Sequence, residues 1–441
     1  MHEPDWVQHA IWWQVYPLGF TGAEKTATEE PARAHRLLDL LPWLDYAVEL
    51  GTSGLALGPI FASETHGYDT TDYFRIDPRH GTDEDFDRLV AEAHRRGLRI
   101  LLDGVFNHVG RSFGPFQRVL AEGPTAGTAA WFHLDWPDGA GPRTEPGYRD
   151  FEGHHHLVAL NHAEPAVADF VVEVMGHWLD RGADGWRLDA AYAVPASFWA
   201  EVTGRVRRTH PDAYFVGEYI HGDYAAEVQA GGLDSATQYE LWKAVWSSLN
   251  DANFWELTAA LERHNAFLDS FVPWTFIGNH DVTRIASRLE DPALAAHALV
   301  ILMTVGGTPA VYYGDEQGYR GIKEDRAGGD DDIRPRFPAA PAEFSPVGAP
   351  VFELHRQLIG LRRRHPWLHR ARTEVLERSN EVLAYRATAA GEPPLVVALN
   401  LTHAPATVSA GSSRDVLAGA AGLDPERRTA LLPARGWAVL G

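Results

Sequence analysis

Arg99-Ile100-Leu101-Leu102-Asp103-Gly104-Val105-Phe106-Asn107-His108 is an apolar run of strand length that ends in an acid, an asparagine and a histidine. Just upstream, Asp83–Arg96 opens with acids and closes on two arginines before Gly97, the pattern of a helix that respects its own dipole. The same alternation of helix and strand continues in both directions. Leu37–Leu50 carries Leu37, Leu38, Leu41, Leu44 and Val48 at helical spacing, stops at Gly51, and leads to the strand Gly54–Leu57. Pro165–Arg181 leads to Gly185–Asp189, Ala196–Arg208 to Tyr214–Glu218, Leu241–Leu261 to Phe271–Ile277, and Ala293–Thr304 to Ala310–Tyr313. Adding a first strand at Ile11–Pro17, a weak one at Asp234–Gln238 and a last helix at Val351–Arg364 gives about eight strand–helix units, the number that closes a (β/α)8 TIM barrel.

Two stretches break the rhythm. Residues 106–160 are rich in Gly, Pro and His without clear periodicity, and so long a loop in a compact domain is usually a functional insertion. Beyond about Trp367 helices give way to β-rich runs (Glu381–Arg386, Pro394–Leu401, Ala406–Val408, Thr429–Leu432, Ala438–Leu440), the pattern of a small antiparallel β-sandwich. The expected organisation is therefore α/β: barrel at 1–105 and 161–366, an inserted domain at 106–160 after strand 3, and a C-terminal β-domain at 367–441.

Composition bounds the function. The chain has 441 residues, 45% hydrophobic and 22% charged, which fits a globular protein. Sixty acidic against 39 basic residues give a net charge of −21, which disfavours nucleic acid and anionic membranes. With no Cys there is neither a disulfide nor a thiolate nucleophile or metal site. Fifteen Trp suit either a Trp-rich core or stacking on sugar rings. The acidic start and short first apolar run do not read as a secretory signal, and no apolar stretch is long enough to span a membrane, so a cytoplasmic location is expected.

In such a barrel, chemistry sits at the C-terminal ends of the strands. Here strand 3 ends in Asp103…Asn107-His108, strand 4 in Arg187-Leu188-Asp189, strand 5 in Gly217-Glu218 and strand 7 in Asn279-His280-Asp281. One acid at a strand end is readily explained as a helix cap. Acids at four such ends together are not, because crowding them together is costly unless function retains them. Arg187 and Asp189, two residues apart, share a face of their strand.

These four segments resemble the signature regions of the α-amylase superfamily, glycoside hydrolase family 13. Gly67-Tyr68-Asp69-Thr70-Thr71-Asp72-Tyr73 and Gly307-Thr308-Pro309-Ala310-Val311-Tyr312-Tyr313-Gly314-Asp315-Glu316 agree with it. The resemblance implies Asp189 as nucleophile, Glu218 as acid/base and Asp281 as transition-state stabiliser. It implies that Arg187 keeps Asp189 ionised and oriented, that His108 and His280 donate to hydroxyls of the sugar at the cleavage point, that Tyr68 is its stacking platform, and that Asp330 and Arg334 form a further clamp. The insert, with Phe113–Leu120, Trp131-Phe132-His133 and Leu157-Val158-Ala159-Leu160-Asn161, looks most like cyclomaltodextrinases, neopullulanases and maltogenic amylases. Those enzymes usually add an N-terminal β-domain used in dimerisation, and a first strand by residue 11 implies that this chain lacks it.

Tyr192 and Ala193 stand where many endo-acting relatives carry a substrate-binding Lys and a His whose carbonyl binds calcium. No cofactor or metal is therefore expected; Asn107 would pin the insert to the barrel, and His154-His155-His156 would line or cover the cleft. The resulting expectation is a retaining hydrolase of α-glucosidic, mainly α-1,4, bonds in short, cyclic or branched malto-oligosaccharides. An exo-α-glucosidase or transglycosylase with the same residues is the alternative, and an inactive sugar-binding relative a remote one. The expected partner is an oligosaccharide, with a homodimer left open. Trp131, Phe132 and Trp136 are candidates either for stacking on leaving-side sugars or for packing the insert.

Overall fold

Eight strands pair in parallel: β1 Trp12–Val15, β2 Gly54–Leu57, β3 Arg99–Gly104, β4 Gly185–Leu188, β5 Tyr214–Gly217, β6 Ser235–Ala236, β7 Trp274–Phe276 and β8 Thr308–Tyr312, in the order 6-5-4-3-2-1-8-7. A single parallel bridge, Thr237 to Trp274, joins the two ends and closes the barrel. This computed structural model describes residues 3–28, 30–326 and 328–441. Among them, no helix is long and apolar enough to cross a membrane.

Strand alternation sorts the interior into layers. Trp12, Leu101, Tyr214 and Trp274 belong to one buried apolar cluster, with the rings of Trp12 and Trp274 stacked at 5.7 Å. One step further along their strands, two residues on, come Gln14, Asp103, Val216 and Phe276. Gly54 permits the lower layer, since a Cβ there would stand 2.6 Å from both the Arg99 carbonyl oxygen and the Trp12 ring. Helices cover the outside. Asp83–Arg95 opens on a reciprocal cap between Thr82 and Asp85 and closes on basic residues, as its sequence suggests.

The structure departs from the sequence reading at several places. The expected helix Leu241–Leu261 is two, Tyr239–Asn250 and Phe254–Phe267. The break falls at Ala252, whose φ of 46° lies in the left-handed region, and Asn253 restarts the chain by accepting from the Trp255 N–H. A further helix, Tyr224–Gly231, lies between β5 and β6. The stretch without periodicity holds helix Gly114–Glu122 and a three-stranded antiparallel sheet of His108–Gly110, His154–Ala159 and Asp150–Phe151. After the barrel, antiparallel sheets of five and three strands face each other across Ala384, Val396, Ala398, Val408, Ala430, Leu432 and Leu440.

Candidate active site

Register builds the centre of the site. Arg187 is paired directly with Asp103 across the β3–β4 ladder, and both side chains turn into the barrel. Arg187 Nη1 lies 2.8 and 2.9 Å from the two Asp103 oxygens and 3.0 Å from Asp189 Oδ1, while Nη2 lies 2.7 Å from Glu218 Oε1. One guanidinium thus ties three acids from three adjacent strands. The other oxygen of Glu218 accepts from the Ala190 N–H at 2.9 Å, and Ala190 can offer it because its φ of 45° turns the backbone sharply after Asp189.

Electrostatics separate the carboxyls. Burial pushes the Asp189 carboxyl well above its ordinary range; Glu218, Asp103 and Asp281 add to this and Arg187 opposes it. The expectation that Arg187 keeps Asp189 ionised thus meets an opposing, larger burial effect. Asp281 is only partly buried, and His280, Arg334 and Arg187 overcome the burial and hold it well below the usual range. Its contacts are His280 Nε2 at 2.8 Å and Arg334 Nη2 at 3.0 Å.

The remaining expected residues surround this group. Tyr68 donates to Asp103 Oδ2 at 3.0 Å, hydrogen-bonds His280 Nε2, and stacks on the His280 ring at 5.5 Å. Arg334 also reaches Asp330 Oδ2 at 3.0 Å and the His280 carbonyl at 3.0 Å. His108 is neutral, burial lowering it to about 3. Its Nδ1 faces the Asn107 amide at 3.0 Å and its Nε2 the Tyr68 carbonyl at 3.0 Å, so both nitrogens have protein partners before any sugar arrives.

Sequence reasoning passed over Tyr239, whose hydroxyl lies 3.4 Å from Glu218 Oε1 and accepts from Asn279 at 2.9 Å. Tyr16 was also missed; it stacks on His280 at 6.2 Å and lies under Arg334. The available signal was position, because Tyr16 follows β1 at the end where the other strands carry their acids.

The insert forms one wall. Phe132 is 3% exposed and packs on Phe116, so it is core rather than a sugar platform, and half-buried Trp131 leans on Phe170. His156 stands against His66 on the loop after β2, and His155 pairs with Asp150 at 2.6 Å. Tyr192, on the loop after β4, donates to Glu152 of the insert at 3.0 Å.

The family described as "Alpha amylase, catalytic domain" matches residues 14–372. A cyclomaltodextrinase of Geobacillus thermopakistaniensis (strain MAS1) is 32% identical, covering 89% of this chain and 69% of its own. An intracellular maltogenic amylase of Bacillus subtilis (strain 168) is 31% identical over 72% of this chain, which spans only 57% of that enzyme. The solved ligand-free cyclic α-maltosyl-(1→6)-maltose hydrolase of Arthrobacter globiformis superposes with a TM-score of 0.83 at 26% identity, covering 99% of each chain. With its signature carboxylates gathered at one mouth of an eight-stranded barrel and its sequence matched from β1 to the start of the C-terminal sheets, the chain belongs to the α-amylase family of glycoside hydrolases.

Proposed function

We propose that the chain is a retaining α-glucoside hydrolase in which Asp189 is the nucleophile, Glu218 the acid/base and Asp281 the stabiliser of the transition state. The observation that carries this is the single guanidinium of Arg187 holding Asp189 and Glu218 side by side. A retaining enzyme needs two carboxyls about 5–5.5 Å apart on one sugar. Asp189 attacks the anomeric carbon while the glycosidic bond breaks; its electron pair stays on the leaving oxygen, which takes a proton from Glu218. Water then gives a proton back to Glu218 and attacks the same carbon, releasing Asp189. Asp281, kept ionised, faces the positive charge that develops on the sugar. Hydrolysis of an aryl α-maltoside followed by proton NMR should release the α-anomer first; a β-anomer would reject the retaining reading.

The substrates are short, cyclic or branched malto-oligosaccharides joined mainly by α-1,4 bonds, met in the cytoplasm. Support comes from the relatives named above and from Tyr192, which joins the barrel to the insert beside Glu218 and narrows the leaving side. The chain divides functionally into the barrel at 1–105 and 161–366, the cleft-walling insert at 106–160 and the terminal sandwich at 367–441. The proposed mechanism gives no role to a metal. The Asn107 side-chain nitrogen bonds His108 and its backbone carbonyl accepts from the Leu160 N–H, which ties the insert to the barrel. Dialysis against a chelator should leave the rate unchanged.

A further inference from the structure

Strand β1 sends one polar side chain into the barrel, Gln14, 9% exposed, and the mechanism above makes no use of it. Its Nε2 lies 3.1 Å from Nδ1 of His280, and its Oε1 is buried without a partner among the described residues. With Asp103, Arg187, Tyr239, Asn279 and His280 it lines a cavity of about 20 Å³ under the catalytic carboxylates, room for one water.

The surroundings of His280 dictate where its proton sits. Nε2 faces Oδ2 of Asp281 at 2.8 Å and the hydroxyl of Tyr68; an ionised carboxylate only accepts, and the Tyr68 proton is already given to Asp103. Burial opposes the charge on Asp281, but the Arg334 guanidinium at 3.0 Å and that of Arg187 hold it ionised without any charge on His280. Nε2 therefore carries hydrogen, and in a neutral imidazole Nδ1 is left as a lone pair that needs a donor. The Tyr68 hydroxyl is engaged with Asp103 and Nε2, and the Tyr16 hydroxyl donates to the His66 carbonyl at 2.7 Å, so neither supplies a donor at Nδ1. The amide of Gln14 does reach it.

We propose that Gln14 is a positioning residue: its amide nitrogen donates to Nδ1 and fixes His280 as the Nε2–H tautomer aimed at Asp281 and the sugar, while its carbonyl oxygen holds one water in the cavity. This inference rests on the proposed function only where His280 is taken to touch substrate; the tautomer itself is independent of it.

The test is a two-bond proton–nitrogen spectrum of the full-length enzyme labelled with ¹⁵N-histidine, with His280 assigned by its loss in His280→Asn. The wild type should show His280 bare at Nδ1 and protonated at Nε2 near neutral pH; a proton on Nδ1 alone overturns the proposal without any variant. Gln14→Glu keeps the size but can only accept, and should place a proton on Nδ1. Gln14→Met removes the donor and should lower kcat/KM on a short maltoside about tenfold. If both variants keep the wild-type tautomer and rate, the proposal is wrong. If the tautomer changes and the rate does not, the positioning claim is overturned through the reading of His280 as a sugar contact, while the tautomer assignment stands.

Discussion

Two layers of side chains fill the barrel one strand step apart, and they differ in almost every physical respect. The lower layer is Trp12, Leu101, Tyr214 and Trp274, stacked rings and aliphatic carbon with almost no solvent contact. The upper holds Asp103 and Arg187 from the same strand faces, joined by Asp189 and Glu218, equally buried but charged. The lower layer gains from burial at roughly 25 cal/mol per Å² of apolar surface. Val216 and Phe276 share that gain in the upper layer, but its charged groups do not, because each buried charge must recover its lost hydration through a partner. Stability and chemistry are thus divided by height within one cylinder, and each kind of substitution should fall on one side.

The largest effect expected is on rate. Asp189→Asn should cut kcat by at least about a thousandfold, since the amide fills the same space and cannot attack carbon. The same variant should melt higher than wild type at neutral pH. The Asp189 carboxyl is raised in the folded state, so the stability linked to its proton is full below the unfolded pKa near 4 and lost as pH rises. Asparagine has no proton to lose, and the gain should vanish as pH falls towards that value. Retained activity, or a variant that melts lower at neutral pH, would break the division between the layers.

The converse belongs below. Trp12→Ala should destabilise by about 3–5 kcal/mol through the cavity it leaves beside Trp274, seen in chemical denaturation. The fraction still folded should hydrolyse substrate at close to the wild-type kcat; a large fall in kcat per folded molecule would mean that the layers are coupled. The smallest effect tests the rim. A small or cyclic maltoside should exceed soluble starch in kcat/KM by about tenfold, roughly 1.4 kcal/mol. Tyr192→Phe, which removes the hydroxyl from Glu152, should narrow that ratio about threefold, and an unchanged ratio would leave the closed leaving side without support.

What the sequence reveals follows the same division. The strands were legible because runs such as Arg99–Gly104 carry their own period and their own stops, and the acids were legible because they end those runs. The break at Ala252 was not, since nothing in an alanine announces a left-handed φ; only Asn253, a good cap, hinted at it. Helix Gly114–Glu122 was obscured by its length and by Gly and Pro at its start. Gln14 was within reach: it lies two residues from Trp12 and must share its face, but a lone amide on an apolar strand gives no sign of what it will meet. The pairing of Arg187 with Asp103, Asp189 and Glu218 depends on the register of β3, β4 and β5, which no local pattern records.

The insert leaves the barrel at Phe106 and returns at Leu160, and its two ends meet: the Leu160 N–H bonds the Asn107 carbonyl at 3.0 Å, and His108–Gly110 runs beside Leu157–Ala159. A segment whose ends are stitched together can gain or lose residues in its middle without moving the strands that carry it. Strands β3 to β5 have no such latitude, for one residue added within β4 would turn Arg187 out of the barrel. The exposed turn at 137–139 can therefore change length without moving the barrel, while β4 can change only residue for residue.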